Sequence, residues 1–207
     1  MFVPILIANQ FIPFREGYAY ASVNYFLDKS ANVISNFLIS PWANFDGVYY
    51  LLIAENGYTV NPGFFPLFPI LIHIASSIFG VSIEFDLLQY FTALFLSNVF
   101  FLFGLIMFYK LVTLDYKINL AIVSIVFVLI LPTSFFFAAI YPESLFFLLA
   151  VSSFYFARKK NWLLASFLGM LLTATRPVGI AIFPALIYEF YASEKTLLKT
   201  KAALLLA

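Results

Sequence analysis

Three ionisable side chains sit in short polar interruptions of an otherwise apolar chain: Asp46 in Trp42-Ala-Asn-Phe-Asp-Gly-Val48, Glu143 in Tyr141-Pro-Glu-Ser144, and Arg176 in Thr173-Ala-Thr-Arg-Pro-Val-Gly179. A carboxylate beside apolar surface gains proton affinity and suits a general base that activates a hydroxyl. A guanidinium presents a fixed fork of donors that matches phosphate oxygens, and here a Pro-x-Gly break follows it, leaving neighbouring backbone amides and the hydroxyls of Thr173 and Thr175 to assist. The chemistry these types allow is attack by a hydroxyl with a phosphate group nearby.

Each residue also has a plainer reading. Asp46 precedes a helical pattern, Gly47 to Asn56, that Gly57 would end, so it is equally placed to be a helix N-cap. Tyr49, Tyr50 and Ile53 fall on its side of that helix, and Asn44 and Glu55 are alternative polar groups nearby. Arg176 could be an interface anchor whose guanidinium reaches the headgroups. Glu143 follows Pro142, so it could offset the dipole of a new helix, orient an acceptor hydroxyl, or pair with Arg176. His73 has no second His or Cys at metal spacing and reads as a hydrogen-bonded structural histidine, while Gln89 and Asn98 read as interhelical polar contacts.

The elements that must hold these residues are membrane helices. The chain is 64% hydrophobic and 10% charged, which a soluble core of this size cannot hide. Its 28 Phe and 13 Tyr against 8 Gly suit lipid-facing walls and a hydrophobic cavity. Zero cysteines exclude disulfides and thiolate metal sites, and no metal is expected. A net charge of +1 implies no nucleic-acid partner. No Gly-rich phosphate loop or zinc signature is present. Residues 1–14 lack a basic leader region and a cleavage pattern, and look like part of a first helix.

Apolar runs at 64–80, 87–109, 118–140, 142–157, 162–175 and 178–191 follow. Basic residues are retained on the cytoplasmic side of short loops, which orients the set. Lys110 with Lys117, Arg158 with Lys159 and Lys160, and Lys195 with Lys199 and Lys201 form three clusters. All three share one side if 118–140 and 142–157 form one out-and-back pair and 162–175 and 178–191 a second, with proline breaks at Tyr141-Pro142 and Arg176-Pro177 on the outer face. The rival is one kinked helix over 161–191. The expected chain is all-α and polytopic: a single membrane domain over 1–207 with an outer loop at 15–63, an interfacial or re-entrant helix at 64–80, transmembrane helices over 87–191 and a cytoplasmic tail at 192–207. Asp46, Glu55, Glu143 and Arg176 then share the outer face.

Phe45-Asp46 with Tyr50, Ile53-Ala54 and Gly57-Tyr58, followed by Gly63-Phe-Phe-Pro-Leu-Phe-Pro69, resembles the first luminal loop of the PIG-V family, the transferases that add the second mannose in GPI-anchor assembly, and of their prokaryotic relatives. Tyr141-Pro-Glu-Ser-Leu-Phe146 and Ala174-Thr-Arg-Pro-Val-Gly179 are similar to two later blocks in the same order. The resemblance implies a multi-pass GT-C type glycosyltransferase with an outer first loop of short helices. Its donor would be a polyprenyl-phosphate sugar such as dolichyl-phosphate mannose, its acceptor a lipid- or protein-linked glycan, and it would need no cofactor.

Carried over residue by residue, Asp46 is the expected base, Arg176 with Thr175 the donor-phosphate site, and Glu143, Tyr50 and Glu55 the acceptor or orienting groups. The location would be the plasma membrane in a prokaryote or the endoplasmic reticulum membrane in a eukaryote. Relatives carry several helices beyond the point where this chain ends at Ala207, which implies a truncated member. A second polypeptide would complete the fold, and the alternative to catalysis is a subunit that binds lipid or a partner through the same groove.

Overall fold

The computed structural model describes residues 40–43, 45–59, 63–78 and 87–205. The expected helix at 1–14, most of the outer loop, and the polar residues Asn44, Glu84 and Asp86 lie outside the described residues. Among those described, the chain is all helix and turn. A 3-10 turn at Ser40–Ala43 leads into α1 (Asp46–Asn56), α2 (Leu67–Ile78) and α3 (Leu87–Val112). Then come α4 (Ile118–Ile130), a 3-10 turn at Pro132–Ser134, α5 (Phe135–Ala138), α6 (Glu143–Arg158), α7 (Trp162–Thr173), a 3-10 turn at Pro177–Ala181 and α8 (Ile182–Leu205).

Two compact units divide these elements. The first takes the described residues up to Phe64, with those of Phe68–Asn98 and Phe135–Tyr141. The second takes Phe65–Leu67, Val99–Ser134 and the described residues from Pro142 onward.

In the first unit α1 is the held element. Trp42 stacks obliquely on Phe135 with ring centroids 5.2 Å apart, and its carbonyl accepts from the Ile140 amide at 2.8 Å. The backbone of Ile140 also approaches Gly47 so closely that an added Cβ would meet the carbonyl oxygen at 3.0 Å, which is why a residue without a side chain sits there. Further along α1 Tyr50 meets Phe64 and Phe68 edge-on at 5.0 and 5.5 Å, and His73 Nδ1 donates to the Ala54 carbonyl at 2.8 Å. His73 is thus the structural histidine its isolation suggested. Asn98 donates through Nδ2 to the Leu94 and Ala138 carbonyls, so it too joins separate elements as expected.

The second unit is a helical hairpin extended by a third pass. The α6–α7 turn closes with Lys160 at φ 59° and Asn161 capping α7 through its side-chain oxygen on the Leu164 amide. Ser153 donates to the Ala165 carbonyl at 2.7 Å, tying α6 to α7. Trp162, at the start of α7, packs edge-on against Phe190 at 5.1 Å. α8 has therefore returned along α7 by residue 190, so 161–191 is two antiparallel passes and not one kinked helix. The α6–α7 corner and the α3–α4 connection meet as well: Arg158 donates to both oxygens of Asp115 at 2.7 Å and through Nε to Glu189 at 3.0 Å. Two of the three basic clusters thus lie at one end of this unit, as the charge pattern required.

Two spans depart from expectation. The run 118–140 is broken at Pro132, whose missing amide interrupts the ladder after Ile130, and Ser134 then donates its hydroxyl to the Val128 carbonyl. The segment 192–205, expected as a tail, continues α8, because Ala, Leu, Lys and Glu are all strong helix formers. Gln89–Val112, 24 residues within α3, is one helix long and apolar enough to cross a membrane, and the pair around Pro132 would be a second if it is one broken span. At 1.5 Å per residue α7 covers only about 18 Å of a hydrocarbon core about 30 Å thick. α4 buries Ala121 alone and exposes most of its Ile, Val, Leu and Phe side chains, the pattern of a helix in contact with lipid.

Candidate active site

Asp46 opens α1, but not as its cap. The cap position belongs to Phe45, at φ 56° and ψ −117°, and it makes no side-chain capping bond. Asp46 is the first helical residue, where a carboxylate also complements the helix dipole. Its side chain is half-buried and has no hydrogen bond or ion pair among the described residues. Capping therefore does not explain this carboxylate.

Of the other candidates on α1, Tyr50 lies one turn on and on the same side as Asp46, yet it is 4% exposed and packed among Phe64 and Phe68. Glu55 stands nine positions along, which at 100° per residue is the opposite side of the helix and about 13 Å further on. The expected stop at Gly57 is present: its φ of 69° turns the chain, and its amide donates to the Ile53 carbonyl at 2.9 Å.

Arg176, Thr175 and Glu143 belong to the second unit. Arg176 is extended, at φ −154° and ψ 147°, between the end of α7 and the turn that Pro177 starts. Its Nη1 donates to Glu143 Oε1 over 2.5 Å, and the two side chains are 40% and 21% exposed. The pairing alternative for Glu143 is what the geometry shows, and Glu143 also sits in the first turn of α6 where the dipole reading placed it.

The backbone amides of Thr175 and Gly179, on either side of Arg176, are already bonded. Thr175 donates to the Leu172 carbonyl through its amide at 3.1 Å and its hydroxyl at 2.6 Å, and the Gly179 amide donates to the Arg176 carbonyl at 2.9 Å. Thr175 is 1% exposed, so its hydroxyl closes the turn beneath Arg176. Among the described residues the Arg176 guanidinium makes no other hydrogen bond than the one to Glu143.

Two supports here were not legible in the sequence. An added Cβ on Gly179 would lie 2.6 Å from the Leu172 carbonyl oxygen, so glycine alone lets the turn fold back on α7. The Leu67 amide donates to the Ala174 carbonyl at 3.1 Å, bringing Phe65–Leu67 to the end of α7 just ahead of Arg176. Blocks far apart in the chain, at 65–67, 142–143 and 174–179, thus share one end of this unit, and Asp46 belongs to the other unit.

Neither a comparison with curated proteins nor one with solved structures gives a match. A family profile described as Mannosyltransferase (PIG-V) covers residues 1–193, which includes Asp46, Glu143 and Arg176. The chain therefore belongs to the mannosyltransferase (PIG-V) family, a family of membrane-associated glycosyltransferases.

Proposed function

We propose that the protein is a GT-C type transferase that moves mannose from a polyprenyl-phosphate donor to a hydroxyl of a lipid- or protein-linked glycan on the outer or luminal face of its membrane. Asp46 takes the proton of the acceptor hydroxyl. The acceptor oxygen forms a bond to the anomeric carbon on the side opposite the phosphate, the bond from that carbon to the phosphate oxygen breaks, and polyprenyl phosphate leaves with the electron pair. The product is inverted at the anomeric carbon. Arg176 faces the leaving phosphate, where negative charge grows as the bond breaks, so its hydrogen bonds strengthen toward the transition state.

Glu143 keeps the guanidinium in place while the donor site is empty. Thr175 supports the backbone ahead of Arg176, and Tyr50 fixes α1 through its aromatic contacts. Membrane lipid supplies the surroundings, and the reaction needs no metal or other cofactor.

The observation that carries this reading is the Arg176–Glu143 pair in a chain of the mannosyltransferase family: an arginine oriented through one nitrogen is suited to receive a phosphate with the others. The test is transfer of labelled mannose from polyprenyl phosphate by membranes that contain the full chain. Asp46→Asn should lower turnover by about 10²-fold or more, the contribution of a positioned base. Wild-type turnover from Asp46→Asn would remove the base from the mechanism.

A further inference from the structure

The end of the second unit opposite Arg176 has features that the transfer reaction does not use. Arg158 engages both carboxylates there, Asp115 with two bonds of 2.7 Å and Glu189 with one of 3.0 Å. Both local acids are therefore spent on one arginine. Around this tie stand Lys117, two residues from Asp115, and Lys159 and Lys160, directly after Arg158; all three are exposed, and none forms an ion pair among the described residues. Lys110, on the last turn of α3, adds a fourth exposed cation. Among the described side chains, five cations against two acids leave an excess of three positive charges where the α3–α4 and α6–α7 connections meet.

Lys160 shows that this charge is retained against the local preference of the chain. The Lys160 amide donates to the Ala157 carbonyl at 2.8 Å and the Asn161 amide to the Phe156 carbonyl at 2.9 Å, the paired bonds that end a helix with a left-handed residue. That residue is Lys160, at φ 59°, a position where glycine is ordinarily found because any Cβ is crowded. A side chain kept in a conformation that disfavours it is a pointer to use.

We propose that this end of the molecule binds the phosphate headgroups of anionic phospholipids, with Lys117, Lys159 and Lys160 as contacts and the Asp115–Arg158–Glu189 tie holding the two connections together beneath them. Each lysine near an anionic surface strengthens association about fivefold. The site belongs to the membrane surface on the side away from sugar transfer, and it does not depend on the transfer mechanism.

The test uses the full chain in nanodiscs of phosphatidylcholine with a minor fraction of phosphatidylglycerol, with a spin-labelled form of each lipid reporting the fraction immobilised at the protein. Wild type should favour the glycerol lipid several-fold, and added salt should reduce the preference. Lys160→Gly should lower the relative association of phosphatidylglycerol about fivefold, while the melting temperature in pure phosphatidylcholine discs holds or rises, because glycine relieves the turn. The opposite signs separate lipid binding from a folding role. Unchanged phosphatidylglycerol preference in Lys160→Gly, or no preference in wild type, would overturn the proposal. So would loss of the preference on adding inorganic phosphate at unchanged ionic strength, since the site would then take free phosphate and not a lipid surface.

Discussion

Nη1 of Arg176 donates to Oε1 of Glu143 over 2.5 Å, although the two residues are 33 positions apart in the chain. The bond joins the break after α7 to the first turn of α6 and orients a guanidinium that has further N–H groups to offer. A charged fork oriented in advance loses little on meeting a phosphate, which is what the proposed donor role asks of Arg176.

Arg176→Lys keeps the charge and removes the fork. Turnover should fall by about 10- to 100-fold with the fold intact, and Arg176→Gln should fall further, toward the 10²- to 10³-fold cost of losing one charge-stabilising donor. Steady-state transfer with the polyprenyl-phosphate donor, alongside circular dichroism to confirm helix content, measures both. Wild-type turnover in the lysine variant would return Arg176 to an anchoring role.

Gly179→Ala tests the support under that arginine. Its Cβ would be forced to 2.6 Å from the Leu172 oxygen and 2.9 Å from the Thr173 Cα, and backbone cannot yield as a flexible side chain can. The variant should lose about 1–3 kcal/mol of stability, seen as a lower melting temperature in detergent, and should lose transfer along with it.

How far the sequence revealed this depends on the range of the interaction concerned. Gly57, Pro142 and Pro177 act on their own neighbours, so the breaks they cause were readable from the chain, as was the return of α8 along α7 from the distribution of Lys and Arg. The break at Pro132 is equally local, but the apolar residues that continue through it to Ile140 mask it. The cap at Phe45 was not legible: nothing in an aromatic residue announces a positive φ, and Asp46 beside it offered the usual cap chemistry. For the site itself, residue type pointed to Glu143 and Arg176, but the tie between them and the Asp115–Arg158 contact, 43 positions apart, exist only once the helices pack. The same holds for the fit of Gly179 against Leu172.

Phe45 carries a conformation that glycine adopts freely, and its ring is 62% exposed, so little packing is lost with it. Phe45→Gly should therefore raise stability by about 1 kcal/mol, the lower end of the cost of such a backbone outlier. A rise in melting temperature would confirm the strain ahead of Asp46, and a fall would show that the phenyl ring contributes packing.

The Arg158 guanidinium, first by hydrogen bonding and then by charge, holds the Asp115 carboxyl below the ordinary carboxylate range. A carboxyl with a lowered folded-state pKa contributes stability above its unfolded value of about 3.9, and the contribution fades as pH falls through the lower folded value. Wild type should therefore be more stable than Asp115→Asn at neutral pH, and the difference should shrink below about pH 4. Melting temperatures of both proteins across that range decide it. A difference independent of pH would separate Asp115 from the ionic tie.

Transfer by Asp46 and Arg176 on one phosphosugar requires both to face the same side of the membrane. The chain has no cysteine, so single cysteines can be placed at Thr59, after α1, at Val178, in the turn beyond Arg176, and at Lys159, all of them exposed. Labelling of intact, oriented vesicles with a membrane-impermeant maleimide should mark Thr59→Cys and Val178→Cys from the outer side and leave Lys159→Cys unmarked until the vesicles are opened. Thr59→Cys and Val178→Cys reacting from opposite sides would contradict the shared site.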